Sequence, residues 1–202
     1  LFAGRDNFWS GGTNDAAVKI HQITNRGAIV REYGNTSIQD PDAVAVDATG
    51  SVTGVPGAVL VAGVRGGGQG GISAIYPNGS IHVLVPASTD FADVDRMQID
   101  ESGRLFFSDT DSGTAKLFSF SNGILTPIIS LPIDFRFTLM SNSRIAISLT
   151  DGTIRLYSSD GTMINAAFAS GLPSAAALAY SSSGAWADSL LALASDTDEL
   201  FR

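Results

Sequence analysis

Apolar residues along the chain fall into short runs that are separated by turn-forming residues. Four segments share one pattern, in which two such runs flank a short turn that ends in glycine: VKIHQITNRGAIVREY, ISAIYPNGSIHVLV, KLFSFSNGILTPII and TIRLYSSDGTMINAAFA. The turn glycines are Gly27, Gly79, Gly123 and Gly161. A tight hairpin turn needs positive φ, which glycine adopts without steric cost. The pattern therefore predicts four β-hairpins.

A second pair of apolar runs precedes three of these hairpins, and a fourth pair lies near the end of the chain. These pairs are DAVAVDATG with GAVLVAG, RMQIDESG with RLFFSD, FTLMSNS with RIAISL, and AALAYSSSG with SLLALASD. Two runs plus a hairpin make a unit of four strands, and Arg104 and Arg144 occupy equivalent places 40 residues apart. A repeat of roughly 40–45 residues with four strands is typical of β-propeller blades. We therefore predict an all-β propeller.

The repeat divides a single predicted domain, 1–202, into five units. Their predicted bounds are 1–34, 42–86, 92–131, 134–170 and 174–202. The first unit lacks its opening strand and the last lacks its outer hairpin, so about four to five blade equivalents are present, against about 4–8 in closed rings. We expect the chain to be part of a larger ring, completed by further sequence or by a second copy. An open, solenoid-like arc is the other arrangement.

Composition narrows the classes of partner. The net charge of −8 argues against nucleic acid and anionic membranes as partners, because binding to either needs clustered Lys and Arg. No apolar run approaches the ~20 residues that span a bilayer. The chain has no cysteine, and its only lysines are Lys19 and Lys116. With abundant Ser, Thr, Gly, Asp and Ala, this composition suggests an extracellular or periplasmic protein.

At PDAVAVDATG, IDESGRLFFSDTDSGTAKLFSF and GTIRLYSSDGT the chain resembles the NHL-repeat propellers and the related gluconolactonase-like propellers. The resemblance implies a six-bladed ring. Lactonase-like members hold a divalent metal in the central channel through Glu, Asn and Asp on inner strands. Here Glu32 is expected on an outer strand, and Glu101 and Glu199 are expected in or beside turns. This placement favours binding over catalysis, with a metal-dependent hydrolase or lactonase as the alternative.

Aspartates at two turns raise the question of a metal site. The stretch Asp109-Thr-Asp-Ser-Gly113 looks like the start of a calcium-binding loop, but position twelve, where such a loop has a bidentate glutamate, is Phe120. The acids in question are Asp109 and Asp111, with Asp196 and Asp198 at the equivalent turn. Aspartate also caps turns by accepting backbone N–H bonds. Turn capping is the first interpretation of these residues, and a weak Ca²⁺ site is the second.

Loop residues supply the candidate ligand contacts. The stretch VRGGGQGG contains Gly-x-Gly-x-x-Gly, but the strand ISAIY follows it where a dinucleotide site needs a helix. We interpret it as a flexible loop that carries Arg65 and Gln69 as ligand contacts. Asp93, Asp95 and Arg96 precede an inner strand and are expected at the rim of the channel. Acids there would suit a cation or a basic ligand.

The histidines lie in the predicted hairpins and not near the channel. His21 and His82 therefore fall on outer strands, and no nucleophile elbow, Walker loop or His-Glu-x-x-His helix is present. Trp186 is a candidate for stacking on a sugar or for packing between blades. The sequence thus predicts a non-catalytic binding or scaffold propeller whose partner is a protein, a glycan or a small molecule. A structural domain of a larger surface protein or filament is a further alternative to the lactonase.

Overall fold

The computed structural model describes most of the chain. The described residues are 2–5, 19–23, 26, 28–33, 41–65, 69–92, 94–109, 114–172, 176–194 and 199–201. Within these ranges the secondary structure consists of β-strands and two 3-10 helices, Ser141–Ser143 and Gly184–Trp186. No helix in this part of the chain is long and apolar enough to cross a membrane.

The strands of the described residues form five sheets, and in each sheet they follow chain order. Sheet A contains β1 (Phe2–Arg5), β2 (Lys19–Ile23) and β3 (Ile29–Tyr33). Sheet B contains β4 (Pro41–Asp47), β5 (Ala58–Arg65), β6 (Gln69–Ile75) and β7 (Ile81–Ser88). Sheet C contains β8 (Arg96–Ile99), β9 (Leu105–Asp109), β10 (Ala115–Ser121) and β11 (Ile124–Leu131). Sheet D contains β12 (Phe135–Met140), β13 (Arg144–Leu149), β14 (Ile154–Tyr157) and β15 (Met163–Ala169). Sheet E contains β16 (Ala176–Ser181), β17 (Ser189–Ala194) and β18 (Glu199–Phe201).

The predicted four-stranded unit is confirmed in sheets B, C and D. The four hairpins form as β2–β3, β6–β7, β10–β11 and β14–β15, and the preceding pairs form as β4–β5, β8–β9, β12–β13 and β16–β17. Positive φ is found at Gly79 (90°), Gly123 (77°) and Gly161 (87°), as a tight turn requires. Gly27 lies outside the described residues. The glycine-ended turns therefore predicted the hairpins for the correct reason.

The chain divides into two compact units, Leu1–Met97 with Phe120–Leu125 and Gln98–Ser119 with Thr126–Arg202. In the first unit, Ile20 of sheet A packs in one buried cluster with Val59, Val61 and Ile75 of sheet B. In the second unit, one cluster joins residues of sheets C and D, and another joins residues of sheets D and E. Central strands such as β9 are buried along their whole length. Sheet D packs against sheet C through one cluster and against sheet E through the other, which is why its strand β13 reads as apolar on both faces.

The strand order gives each sheet two distinct ends. Because neighbouring strands run in opposite directions, the turns after the first and third strands lie at the same end, which we call the turn end. The turn after the second strand and the connection that leaves the fourth strand lie at the opposite end, which we call the loop end. In sheet B, the β4–β5 turn is at the turn end, and the end of β5 and the start of β6 are at the loop end.

Candidate functional site

The described candidate residues all lie at the loop end of their own sheets. Arg65 ends β5 and Gln69 begins β6 in sheet B. Asp95 immediately precedes β8, Arg96 is its first residue, and Asp109 ends β9 in sheet C. The side chain of Arg65, together with Asp93, Asp111, Asp196 and Asp198, lies outside the described residues. The strands also extend further than the sequence indicated, because most of the predicted flexible loop VRGGGQGG belongs to β5 and β6.

A glycine contact organises the loop end of sheet B. The Gly70 N–H donates to the Phe91 carbonyl oxygen at 3.0 Å, which ties the connection after β7 to the start of β6. A Cβ atom at Gly70 would lie 2.6 Å from Cδ2 of Phe91, so no larger residue fits without movement. Phe91 and Val94 of the same connection are fully buried. The polar residues Gln69 and Asp95 are next in sequence to the packed residues Gly70 and Val94, respectively.

Sheet D repeats this arrangement in the second unit. The Leu172 N–H, in the connection after β15, donates to the Gly152 carbonyl oxygen at 3.1 Å. A Cβ atom at Gly152 would overlap the Leu172 carbonyl oxygen, and the φ of Gly152 is 77°. In both sheets a glycine contacts the connection that leaves the fourth strand. This glycine is at the start of the third strand in sheet B and in the turn before the third strand in sheet D. Sequence reasoning missed these two glycines, although their recurrence at equivalent repeat positions was a usable signal.

Carboxylates at the turn end cap the turn between the first two strands. Oδ2 of Asp47 accepts the N–H groups of Val52 and Thr53 at 3.0 and 2.8 Å. Oδ1 of Asp100 accepts the N–H groups of Ser102 and Arg104, each at 2.9 Å. Both carboxylates are buried. Turn capping, inferred for the Asp109 stretch, is thus an established use of aspartate elsewhere in this repeat.

The ionised form of Asp100 is favoured by its surroundings. Burial raises the pKa of Asp100, but hydrogen bonds from Ser102 and Arg104 and the positive charge of Arg104 outweigh burial and lower it below the usual value. The Arg104 guanidinium contacts Oδ2 of Asp100 at 2.8 Å through Nη2. The carboxylate therefore stabilises the native state as an anion.

We expect Asp100 to contribute to acid unfolding. Its pKa is lower in the native state than in the unfolded state, so its contribution is complete above the unfolded pKa of about 4 and is lost as the pH falls through the native value. Asp100→Asn should lower stability at neutral pH and flatten the fall of stability below pH ~4. Urea unfolding at several pH values measures both effects. An unchanged pH slope in the variant would contradict this assignment.

Asp109 differs from the turn-end acids because it ends a fully buried strand, and its own side chain is fully buried. Among the described residues there is no group of three His, Asp or Glu side chains that could hold a metal ion. Three of the four aspartates of the calcium hypothesis lie outside those residues. The hypothesis therefore stays a prediction.

The first strands carry few ionisable groups within the described ranges. Asp42 is the second residue of β4, and its side chain is exposed. As expected, no glutamate lies on a described first strand: Glu32 is in the outermost strand of sheet A, Glu101 is in the β8–β9 turn and Glu199 opens β18. The first strands of sheets C and D are joined by Gln98, whose Oε1 accepts the Leu139 N–H at 2.7 Å. This bond satisfies a backbone donor of an edge strand.

The histidines lie in the β2–β3 and β6–β7 hairpins, as predicted. His21 in β2 is buried, with Nδ1 3.5 Å from Oε1 of Glu32. His82 in the outermost strand of sheet B stacks on Tyr76, with ring centroids 4.4 Å apart. Trp186 is 47% exposed, in the turn between β16 and β17. None of these three belongs to the loop end.

Comparison with known proteins places the fold. No protein-family model matches the chain, and no curated protein matches its sequence. Solved structures similar to the chain include an inactive variant of virginiamycin B lyase from Staphylococcus aureus with quinupristin, at 14% identity and a TM-score of 0.61. A gluconolactonase from Xanthomonas campestris matches at 16% identity and TM-score 0.52, and a candidate 6-phosphogluconolactonase from Bacteroides uniformis at 13% and 0.58.

These likenesses show that the chain has the all-β propeller fold. The alignments cover 91%, 82% and 91% of this chain, in the same order. They cover 61%, 58% and 59% of the three other chains, so this chain spans about three fifths of their length. At sequence identities this low, the likenesses show a shared fold and do not show a shared function.

Proposed function

We propose that this chain is a non-catalytic binding propeller that acts outside the cytoplasm and recognises its ligand through the loop end of its sheets. The observation that carries the proposal is the contact between Gly70 and Phe91, which fixes a connecting segment on a strand. A binding site needs side chains held by a rigid base, and this contact supplies one. The low lysine content supports the extracytoplasmic location.

The proposed ligand contacts are Gln69, Asp95 and Arg96, with Arg65 and Asp93 beside them in sequence. An amide, a carboxylate and a guanidinium together offer both donors and acceptors. Such a set suits a polar ligand that presents hydroxyl or amide groups, as glycans and peptides do. Gln69 is next in sequence to Gly70, which Phe91 holds, and Asp95 is next to the buried Val94, so little ordering would be required on binding.

Thermal unfolding of the full chain tests the proposal, with calcium, maltose and D-gluconolactone as separate probes. A probe that binds only the native state stabilises it by about 2.7 kcal/mol at 100 times its Kd. We expect at least one probe to raise the midpoint, and Arg96→Ala to remove that rise. Arg26→Ala, at the exposed turn end of sheet A, is the matched control and should retain it. A rise that survives both Arg96→Ala and Gln69→Ala would contradict the proposal, as would no rise with any probe.

A metal-dependent lactonase is the second candidate, and the similarity in fold to a gluconolactonase favours it. The described residues do not assemble a metal-binding group, so we derive no catalytic step. The two functions can be distinguished because a lactonase releases an acid from its substrate, whereas a binding protein does not. Acid release from D-gluconolactone that is faster than spontaneous hydrolysis, and that EDTA abolishes, would establish the lactonase. A midpoint shift without acid release would establish the binding protein.

This proposal also includes three untested predictions from the sequence. They are the NHL-repeat resemblance, the six-bladed ring and a role as a structural domain of a larger surface protein. Each is consistent with the four-stranded units of sheets B, C and D. Ligand specificity in such a module would come from the loop ends, because the strands between packed sheets are buried and serve stability.

A further inference from the structure

Three hairpin turns at the same repeat position contain a side-chain carbonyl followed by glycine. They are Asn78–Gly79 in sheet B, Asn122–Gly123 in sheet C and Asp160–Gly161 in sheet D. Asparagine followed by glycine is prone to cyclise, because glycine has no side chain to hinder attack by its backbone nitrogen. The surroundings of the two Asn-Gly pairs are very different.

Asn78 is held in place by several contacts. Its Oδ1 accepts the Ser80 N–H at 2.9 Å and the Ser80 hydroxyl at 2.8 Å. The Gly79 N–H donates to the Tyr76 carbonyl oxygen at 2.8 Å. A guanidinium nitrogen of Arg31 lies 2.5 Å from where a Cβ atom at Gly79 would stand. Both the side-chain carbonyl and the attacking nitrogen are therefore restrained.

Asn122 lies in a solvent-exposed turn of two residues. It joins β10 directly to β11, and both turn residues have positive φ, 51° at Asn122 and 77° at Gly123. This is the conformation of a type I′ turn. Asn122 is exposed, and a Cβ atom at Gly123 would meet no heavy atom within 4 Å. Within the described part of the chain, neither the Asn122 side chain nor the Gly123 N–H has a hydrogen bond.

We propose that Asn122 is a site of spontaneous covalent modification, at which the side-chain amide is lost much faster than at Asn78. The backbone nitrogen of Gly123 attacks Cγ of Asn122, the N–Cγ bond forms and the Cγ–Nδ2 bond breaks. The hydrogen of the Gly123 N–H leaves with Nδ2 as ammonia. Water then opens the resulting succinimide ring at either carbonyl carbon, which leaves aspartate or isoaspartate at this position.

The two products differ in their effect on the hairpin. Aspartate keeps the length of the backbone and adds one negative charge. Isoaspartate adds a methylene group to the backbone of a two-residue turn, whose geometry is fixed by its length, and should loosen the pairing of β10 with β11. The equivalent Asp160 resists the same reaction. Hydrogen bonds from Ser158 and Thr162 lower the pKa of Asp160 to about 2, and an ionised carboxylate is a poor electrophile.

Peptide mapping by mass spectrometry, after ageing the full chain at physiological temperature and mildly alkaline pH, measures amide loss at each asparagine. We expect Asn122 to react about tenfold faster than Asn78 or more, because reaction at Asn78 requires at least two hydrogen bonds to break first. In denaturant the two Asn-Gly pairs should react at equal rates. Equal rates in the native chain, or an Asn122 that reacts only in denaturant, would overturn the proposal.

Two variants test whether restraint is the cause. Ser80→Ala removes one donor to Asn78, and Arg31→Ala removes the guanidinium that covers the turn. Each should raise the rate at Asn78 and leave the rate at Asn122 unchanged, with the fold verified by circular dichroism. A rate at Asn78 that does not change in either variant would show that these contacts do not protect it, which contradicts the structural explanation.

Discussion

Gly152→Ala should lower the free energy of unfolding by about 3 kcal/mol or more. Two costs combine: a non-glycine residue with positive φ costs about 1–2 kcal/mol, and overpacking typically costs about 1–3 kcal/mol. The added Cβ would overlap the Leu172 carbonyl oxygen, and backbone atoms cannot move aside as a flexible side chain can. Urea unfolding of the variant and the parent chain measures the difference.

Gly184→Ala is the matched control within the same unit. Gly184 has a φ of 75°, close to that of Gly152, but a Cβ atom there would meet no heavy atom within 4 Å. Only the conformational cost remains, about 1–2 kcal/mol. The excess loss in Gly152→Ala therefore measures the contact with the connection after β15. Equal losses in the two variants would show that this contact is not tight.

The sequence predicted the strands well because the repeat determines them. Each unit needs two turns at fixed places, and glycine or aspartate marks most of them. Gly123 illustrates this: its positive φ and the two-residue connection follow from the Asn-Gly pair alone. The apolar composition of β9 and β13 follows from burial on both faces. The hydrophobic pattern of these strands agrees with their burial, so the intrinsic β-propensity of single residues was not a deciding factor in predicting them.

The loop end was less predictable, for reasons visible at Gly70. In the sequence it belongs to a glycine-rich stretch that is typical of a flexible loop, yet it lies in β6 and its φ is not positive. Glycine is required here because the Phe91 ring lies against the backbone, a contact between residues far apart in sequence. A glycine in the sequence can thus indicate a turn, a flexible loop or a close contact with the backbone. Only tertiary structure separates these three uses.

Acidic residues show the same limit. Asp47, Asp100 and Asp109 all end or follow strands that read alike. The structure separates them: Asp47 and Asp100 each accept several hydrogen bonds at a turn, whereas Asp109 is a buried strand residue. Local sequence cannot determine which donors face a carboxylate, because some of those donors depend on turn length.

Phe91→Ala should have the other large effect, a loss of about 3–5 kcal/mol in the free energy of unfolding. Phe91 is fully buried, so truncation removes its burial and leaves a cavity beside Gly70. Phe168→Ala is the control, because Phe168 in β15 is 42% exposed and its truncation should cost about 1 kcal/mol or less. Urea unfolding compares the two. Similar losses would mean that Phe91 does not fill the space above β6.

A double-mutant cycle then tests the contact itself. Gly70→Ala alone should destabilise, because its Cβ would lie 2.6 Å from Cδ2 of Phe91. In the Phe91→Ala background the ring is absent, so adding Gly70→Ala should cost little. The two losses are therefore not additive, and we expect a coupling energy of about 1–3 kcal/mol. Additive losses would exclude the contact. A large coupling, together with loss of probe binding in Phe91→Ala, would tie the contact between Gly70 and Phe91 to recognition at the loop end of sheet B, because the ligand contacts Gln69 and Asp95 would then depend on a residue that does not touch the ligand.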